Sequence, residues 1–430
     1  MLNKIINTIG TKGLSALLSF LIAIIISQTL GDTGKGEQTL LLTTIAFVLI
    51  FSDIVSGKTL VYLTSKHSFS SLFIPSYLWS LLVGIFAWAI LSIFPLGVDK
   101  SLAVHIGILA VIASWNGVNI ALLLGKEKVK TANLINLLHP LILCIVLSVC
   151  YIILQYKSLF PYILSLYIAY GICWILGLIA LRKDLFPLKL PKHADYKPAI
   201  AGLFRYGFIN QCAYFVHFLN LRLSYYLLEA YIDIGKVGVF SNAMSLGEAL
   251  WLISSSVATV QYARIANTND RIYAQTITLR LAKACGLLVL CAITFLSVLP
   301  SAVYVFVFGE RFGELPDIIR LLAPGVLFYS VFLIFGHYFS GIGKYHRNLF
   351  CASIGLLFTL IAGFILIPRL NIYGAAITTS LSYMATTITG IIIFFRSTRT
   401  NTSKLLISKQ DIKDFYSDLR GYVQGLRKKE

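Results

Sequence analysis

A single arginine stands in the middle of the apolar stretch FLNLRLSYYLL (218–228). In the longer stretch 209–228, Arg222 is the one residue that is charged at all pH values. A lipid bilayer tolerates an isolated arginine poorly, so ionisable residues in apolar helices face protein or water. A guanidinium also suits phosphate, because its planar fork donates two hydrogen bonds at once. The sequence therefore predicts that Arg222 contacts an anion.

Charged residues within or near the apolar segments are mostly basic, with seven bases and two acids. A cavity with this balance attracts anions and suits an amphiphile with an anionic head group. Some of the bases have a simpler explanation, since Arg205, Arg280 and Arg320 lie near predicted helix ends and can reach the membrane surface. The predicted cavity residues are Arg222, Glu248, Lys12, Lys58, Lys283, Arg205, Arg280, Gln211 and Asp53.

The predicted helix that holds Arg222 carries its polar residues on one side. At 100° per residue, one stripe consists of Gln211, Phe218, Arg222, Tyr225 and Glu229. The next helix has a second stripe, formed by Ser241, Ser245, Glu248 and Ser255. Such stripes face protein or water rather than lipid. The alternatives to a wet cavity are hydrogen bonds between helices and a structural ion pair between Arg222 and Glu248.

The composition identifies the environment of these residues as a membrane. The 430 residues are 57% hydrophobic and 13% charged, with a mean hydropathy of +0.82, against roughly 25% charged residues in a soluble domain. We attribute the net charge of +18 to basic loops that lie at the cytoplasmic side of the membrane. Nucleic acid is therefore not an expected partner. The seven cysteines form no CxxC pair, so we expect them to pack as small apolar residues and predict no metal or cofactor.

Twelve apolar runs are long enough to cross a membrane. The predicted spans are 5–30, 38–65, 72–95, 101–124, 131–155, 159–181, 199–230, 236–264, 276–300, 316–341, 347–368 and 371–395. The segment 301–317 is predicted to be a helix end with a short external loop. The fold class is therefore an all-α integral membrane protein.

Basic residues alternate between the loops, which predicts the orientation. Every second loop is rich in Lys and Arg, and the tail after Phe395 holds nine of them. The remaining loops hold one base each, namely Lys35, Lys100, Lys157, Lys236, Arg311 and Arg369. The positive-inside rule then places both chain ends in the cytoplasm. No cleavable signal peptide is expected.

Two segments suggest an internal repeat. GDTGKGEQTLLLT (31–43) and IDIGKVGVFSNAM (232–244) align at Asp-x-Gly-Lys, with Asp32 opposite Asp233 and Lys35 opposite Lys236. LLLGKEKVKTANL (122–134) resembles SGIGKYHRNLFCA (340–352) in the same way. Six helices followed by six with the same sidedness are parallel repeats, which enclose a central cleft.

The repeat predicts four regions. They are a first six-helix lobe (1–182), a basic cytoplasmic linker (183–197), a second six-helix lobe (198–396) and a basic amphipathic cytoplasmic tail (397–430). The tail is expected to lie on the membrane lipids. The longest internal hydrophilic stretch, 181–197, is too short to be a catalytic domain, and no phosphate-binding loop is present.

These motifs together resemble one known family. LGDTGKGEQ after the first helix, IYGAAITTSLSY (372–383) and above all NLRLSYYLLEAYIDIGKVGVFSNAMSLGEALW (220–251) are similar to the Wzx-type polysaccharide flippases of the multidrug/oligosaccharidyl-lipid/polysaccharide exporter superfamily. The resemblance covers most of 1–396. Arg222, VGVFS (237–241) and Glu248 match its motifs, whereas Ser224 stands where family members often carry an acid.

The resemblance implies a function. Such a protein is not an enzyme; it moves a polyprenyl-diphosphate-linked oligosaccharide, for O-antigen, lipopolysaccharide or capsule, across the cytoplasmic (inner) membrane by alternating access. It implies a monomer that associates with polysaccharide polymerase machinery and a coupling ion, H⁺ or Na⁺. The rival functions are a multidrug or cation antiporter of the same fold, an oligosaccharide polymerase or ligase, and a scaffold without transport.

Overall fold

A computed structural model describes residues 2–186 and 193–401, without the side chains of residues 2–9, Lys12 and 193–195. Throughout this described part the chain is helical and contains no strand. The middle of the predicted linker (187–192) and the predicted amphipathic tail from 402 to 430 lie outside the described residues. The side chain of Lys12, one of the predicted cavity residues, also lies outside them.

Twelve α-helices follow one another along the described chain. They are α1 (Leu2–Ser52), α2 (Gly57–Leu63), α3 (Phe69–Ile93), α4 (Ala103–Gly125), α5 (Val129–Ser148), α6 (Phe160–Leu185), α7 (His193–Tyr231), α8 (Ile234–Ala266), α9 (Arg271–Val298), α10 (Ser301–Phe308), α11 (Leu315–Gly341) and α12 (Tyr345–Thr398). Short 3₁₀ turns occur at Asp53–Val55, Lys100–Leu102 and Glu310–Phe312, and α5 continues as a π-helix over Val149–Ile153.

Nine helical segments of the described chain are long and apolar enough to cross a membrane. Two of them, α1 and α12, are continuous through a kink and contain 51 and 54 residues, about 80 Å of helix each. A kink near the middle of each allows two crossings. The helix α7 has 39 residues but is too polar to be counted among the nine. The chain is thus a multi-pass membrane protein, while the number of twelve crossings stays a prediction.

The kinks fall where the sequence analysis places loops. At Gly31 the backbone has φ 69° and ψ −162°, a left-handed conformation that glycine adopts without strain. At Asn371 φ is 55° and ψ is −136°, and asparagine adopts a positive φ more often than most residues other than glycine. The prediction of an external loop around Lys35 is wrong, because the helix resumes directly after Gly31 and Lys35 lies in it. The segment 301–317 also differs from its prediction, since α10 is a separate helix.

A second difference is a break inside the predicted span 38–65. The helix α1 ends at Ser52, a 3₁₀ turn follows, and Ser56 is extended before α2 begins at Gly57. Nothing in the hydrophobicity of the segment predicts this interruption. Broken helices at membrane depth are tolerated where protein caps the freed backbone groups.

The chain divides into two compact units by internal contacts. The first consists of the described residues of 1–242 and 300–315, and the second of the described residues of 243–299 and 316–430. The first unit therefore contains α1–α7, the beginning of α8, and α10. The helix α7 falls in the first unit because it packs on α1, α2 and α3, and the predicted linker at 183–197 stays a prediction. The arrangement in two six-helix lobes remains a prediction.

Each unit has its own apolar core. In the first, Leu60 of α2, Leu72 of α3, Val118 and Leu122 of α4 and Leu203 of α7 are fully buried together. In the second, α9, α11 and α12 meet around a cluster of aromatic rings. Its fully buried members include Phe335, Phe339 and Phe394, with Tyr338 and Cys285 beside them. These cores fix the helices that carry the polar residues of the next section.

The approach of α7 to the break in the first unit leaves no room for a side chain at Gly207. A Cβ atom there would overlap the carbonyl oxygen of Ile54. We therefore expect Gly207→Ala to lower the free energy of unfolding by about 1–3 kcal/mol, since the backbones must move apart. The apparent Tm of the purified protein in detergent measures this. Gly171→Ala is the matched control, because nothing lies within 4 Å of that position, and equal Tm values for the two variants would contradict the prediction.

Candidate functional site

Arg222 is half-buried on α7 and is held by an aromatic neighbour. Its Nη1 donates a hydrogen bond of 2.8 Å to the hydroxyl of Tyr225, and the guanidinium lies 5.4 Å from the centre of the same ring. The Tyr225 side chain is buried and packs edge-on against Phe240. One turn before Arg222, Phe218 is buried against Phe47 of α1. The predicted polar stripe of α7 thus packs against protein in the first unit.

A second cation lies near Arg222, in a place where the sequence analysis expects none. The side chain of Lys35 is only 5% exposed, and its Nζ donates a hydrogen bond of 2.6 Å to Oε1 of Gln38. The amide nitrogen of Gln38 in turn donates to the hydroxyl of Tyr162 at 3.1 Å. Among the described residues no carboxylate lies within ion-pair distance of Lys35. The positive charge of Arg222 acts on it repulsively.

This arrangement favours an anion. A buried ammonium ion is costly unless a countercharge is present, and here the nearest acceptor is a neutral amide. A second positive charge nearby raises that cost further. A phosphate group bound to Lys35 would offset both of these costs, because charge-assisted hydrogen bonds to phosphate are among the strongest in proteins.

The two predicted repeat segments contact each other in the first unit, close to Lys35. A Cβ on Gly36 would overlap the backbone carbonyl of Ile234, and a Cβ on Gly238 would overlap that of Asp32. Next to these contacts, Thr39 donates a hydrogen bond of 2.9 Å to Ser241. The glycines and the hydroxyl residues are each 202 positions apart. This pairing is one residue out of the register that the Asp-x-Gly-Lys letters predict.

Ion pairs connect the α10 region to both repeat segments. Arg311 contacts Asp32 at 2.9 Å, and Lys236 contacts Glu314 at 2.8 Å. The side-chain amide of Gln28 also donates to the carbonyl of Val307 at 2.9 Å. These exposed or half-exposed pairs are individually weak, but together they fix α10 beside the Gly31 kink and the α7–α8 turn.

The structure brings together only some of the predicted cavity residues. Gln211 of α7 donates a hydrogen bond of 3.1 Å to the backbone carbonyl of Asp53, and both are half-buried in the first unit. Lys58 and Arg205, in the same unit, are exposed.

The remaining predicted residues belong to the second unit. Glu248 of α8 is half-buried and acts electrostatically on Tyr329 of α11. On α9, Lys283 is half-buried and Arg280 is exposed. Arg320 of α11 is exposed and pairs with Asp317 at 2.7 Å. An ion pair between Arg222 and Glu248 stays a prediction, as does the role of these residues in one cavity.

Outside the apolar helices, two surface groups have shifted pKa values with local causes. The backbone N–H of Ser101 donates to the carboxylate of Asp99 and holds its pKa below the ordinary value. The hydroxyl of Tyr62 accepts a hydrogen bond from Lys66, which raises the pKa of that ammonium. Both groups are fully exposed and neither contacts Lys35 or Arg222.

Sequence reasoning missed Lys35, Gln38 and Tyr162. Lys35 and Gln38 are three residues apart, a spacing that puts them on one face of a helix, so the signal was present. It was masked because a Gly-rich segment with one lysine also reads as an external loop. The contribution of Tyr162 could not be found from the sequence, because this residue lies near the start of α6, 124 residues after Gln38.

Comparison with solved structures shows the fold. The lipid II flippase MurJ in an inward closed conformation aligns with a TM-score of 0.74 and 17% identity, over 95% of this chain and 91% of that one. An inward-facing multidrug resistance MATE family transporter of the MOP superfamily aligns with a TM-score of 0.71 and 15% identity, over 90% and 94% of the two chains. At this identity the likeness establishes the architecture alone.

Two curated proteins are similar in sequence over part of their length. The capsular polysaccharide biosynthesis protein CapF of Staphylococcus aureus is 25% identical over 167 residues, which is 38% of this chain and 42% of CapF. The membrane protein MJ1068 of Methanocaldococcus jannaschii is 24% identical over 238 residues, 54% of this chain and 47% of that protein. The chain thus spans less than half the length of either relative.

The burial of Lys35 has a measurable effect on stability. We expect Lys35→Met to raise the free energy of unfolding by about 1–3 kcal/mol, because an apolar side chain of similar length removes the buried charge. The apparent Tm in detergent, without added phosphate, measures this. Lys157→Met, at an exposed loop position, should leave Tm unchanged. A lower Tm for Lys35→Met would mean that the ammonium stabilises the fold, contrary to its assignment as an anion contact.

No family model matches the chain, so the fold rests on the solved structures. This chain has the architecture shared by the MATE transporters and the MurJ flippase of the MOP superfamily, on helices long and apolar enough to cross a membrane several times.

Proposed function

We propose that the protein is a flippase for polyprenyl-diphosphate-linked oligosaccharides, working by alternating access in the cytoplasmic (inner) membrane. The observation that carries the proposal is that Lys35 is buried in the first unit without a carboxylate partner among the described residues, while the charge of Arg222 acts on it repulsively. Lys35 is a buried cation whose described partner is an amide, and Arg222 is a half-buried cation held by Tyr225. Two such charges favour a ligand with more than one negative charge, which a diphosphate provides.

The roles of the groups follow from their chemistry. Arg222 would bind diphosphate oxygens through its fork, with its geometry fixed by Tyr225, while Lys35 would supply a point charge. The polyprenyl chain would stay in lipid, and the polar stripes predicted from the sequence would contact the sugar.

The similarity to known proteins supports the same class of substrate. MurJ is described as a lipid II flippase and CapF as a capsular polysaccharide biosynthesis protein. We propose an oligosaccharide unit for O-antigen, capsule or a related polysaccharide as the cargo. The protein would act as a monomer beside polysaccharide polymerase machinery, driven by H⁺ or Na⁺.

An exporter of organic cations is the main alternative, because MATE transporters share the fold. A cationic drug would be repelled by the Lys35 and Arg222 pair, whereas a diphosphate is attracted, so the described charges favour the flippase. A polymerase or ligase would need carboxylates positioned beside the sugar, and the acids predicted at depth, Asp53 and Glu248, show no pairing pattern in the sequence.

Removal of the Arg222 guanidinium tests the proposal. In proteoliposomes that contain a fluorescent polyprenyl-diphosphate oligosaccharide, Arg222→Ala should lower the flipping rate about tenfold or more, since a charge-assisted hydrogen bond is lost. Arg222→Lys should be intermediate, because charge without the planar fork binds diphosphate less well. Accessibility of the fluorophore to an external quencher measures flipping.

The control is Arg369→Ala, which changes an exposed arginine of α12 and should flip at the wild-type rate. Size-exclusion profiles and apparent Tm values must show that all variants are folded. Wild-type flipping by folded Arg222→Ala would refute the role of this residue. Transport of a cationic dye, with no flipping of the lipid by the wild-type protein, would refute the flippase proposal itself.

A further inference from the structure

The break between α1 and α2 is a built feature of the first unit. After Ser52 the chain makes one 3₁₀ turn over Asp53–Val55, Ser56 then adopts an extended conformation (φ −127°, ψ −159°), and Gly57 has φ 55°. The Ser56 N–H still bonds to the carbonyl of Asp53 at 3.2 Å. The backbone therefore turns sharply within an otherwise apolar span.

Side chains from two other helices hold the break in place by donating hydrogen bonds to its backbone carbonyl groups. The hydrogen bonds run from Trp79 Nε1 to Phe51 O (2.9 Å), from Ser76 Oγ to Val55 O (2.9 Å) and from Gln211 Nε2 to Asp53 O (3.1 Å). The close approach of Gly207 to Ile54 adds a backbone contact from α7. A segment so well capped on its backbone is not a defect of folding.

Several side-chain oxygen atoms at the break take no part in this capping. Ser52 is 0% and Ser56 2% exposed, and neither hydroxyl has a hydrogen-bond partner in the described chain. The Oε1 atom of Gln211 is also buried without a partner there, on the same carboxamide whose nitrogen is anchored to Asp53 O. Buried polar atoms are rarely left in this state unless a ligand or water completes them.

Asp53 adds the charge. Within the described chain its carboxylate forms no ion pair, and the hydroxyl-bearing ring of Tyr214, one turn after Gln211 on α7, feels its charge. A half-buried carboxylate at a helix break, without an ion pair among the described residues, needs a cation or a proton for neutrality.

We propose that the break binds a dehydrated monovalent cation, Na⁺, through the Asp53 carboxylate together with the oxygens of Ser52, Ser56 and Gln211. The donor set contains only oxygen and a single negative charge, which matches a hard ion of charge +1. Ca²⁺ and Mg²⁺ sites, by comparison, draw on further carboxylates or bound phosphates. Interrupted membrane helices supply such oxygen clusters in ion-coupled transporters.

The site has a direct mechanical connection to the anion contacts. Gln211 lies on the same stripe of α7 as Arg222, eleven residues earlier, about 17 Å along the helix. An ion that ligates both Asp53 and Gln211 would therefore fix α7 against α1. The cation site requires no particular cargo; its role in coupling rests on the proposed flippase function.

Sodium-dependent stability tests the site without any transport assay. The apparent Tm of the purified wild-type protein should rise with NaCl relative to KCl or choline chloride at the same ionic strength, following the logarithm of ion concentration. Asp53→Asn should abolish this shift. Ser56→Ala and Gln211→Leu should raise the apparent Kd for Na⁺ about tenfold, since each removes one ligand.

Asp99→Asn is the matched control, because that carboxylate is exposed and capped by Ser101, and it should keep the full Na⁺-dependent shift. If Asp53→Asn does not fold, Ser56→Ala and Gln211→Leu decide the question alone. A wild-type Tm that is equal in NaCl and KCl would overturn the proposal, as would an unchanged shift in folded Asp53→Asn. A Tm that responds to pH and not to Na⁺ would reassign the carboxylate to proton binding.

The outcomes separate this inference from the proposed function. A Na⁺-dependent Tm that requires Asp53, in a protein that flips no lipid-linked sugar, would keep the site and remove the flippase. Flipping at the same rate in NaCl and KCl, with no Na⁺ effect on Tm, would keep the flippase and remove the site.

Discussion

The apolar surroundings of this chain impose one constraint on all of its polar groups: they must be satisfied by protein or ligand, because lipid offers no hydrogen bonds. The backbone meets the constraint almost completely through helices. The helix is interrupted at the break after Ser52. There the side chains of Trp79, Ser76 and Gln211 donate hydrogen bonds to the backbone carbonyl groups. Positions at which the described chain leaves the constraint unmet are therefore informative, and Lys35 and Asp53 are two of them.

These two residues carry opposite charges and sit at opposite ends of one helical segment. Lys35 follows the Gly31 kink and Asp53 begins the break, with α7 packed against the segment between them through Phe47 and Phe218. The proposed anion contact and the proposed cation site on a shared pair of helices would influence each other through small movements of those helices. Burying both charges is expected to lower stability, which is typical of residues kept for function.

Much of the architecture could be predicted from the sequence, because long apolar runs decide where helices form. Most predicted spans agree with observed helices within a few residues, and the polar stripe through Arg222 was found from periodicity alone. Around Lys35 the sequence predicts a loop, whereas the structure has a helix that continues after the Gly31 kink. Glycine and a single lysine mark a loop in most chains, whereas here they allow a kink and a close helix contact.

The break at Asp53 shows the other limit of sequence reasoning. The residues SDIVSG (52–57) interrupt the hydrophobicity only slightly, and one acid alone does not reveal a ligand site. The side chains that cap the break come from α3 and α7, many residues away in the chain. Hydrogen bonds between distant segments are set by tertiary packing, which periodicity and composition do not contain.

The mutual contacts of Gly36 with Ile234 and of Gly238 with Asp32 have a consequence for the origin of the chain. In the pairing of positions 202 residues apart, Gly36 corresponds to Gly238 and Asp32 corresponds to Ile234, so the two contacts are equivalent. Such reciprocal contacts are the signature of an isologous interface in a twofold-symmetric dimer. Two separate copies of one ancestral polypeptide could have met through this same patch before their genes were fused. On the predicted repeat, a bulky residue at this position of the ancestral copy would have stood on both sides of the patch, which favours glycine at Gly36 and Gly238.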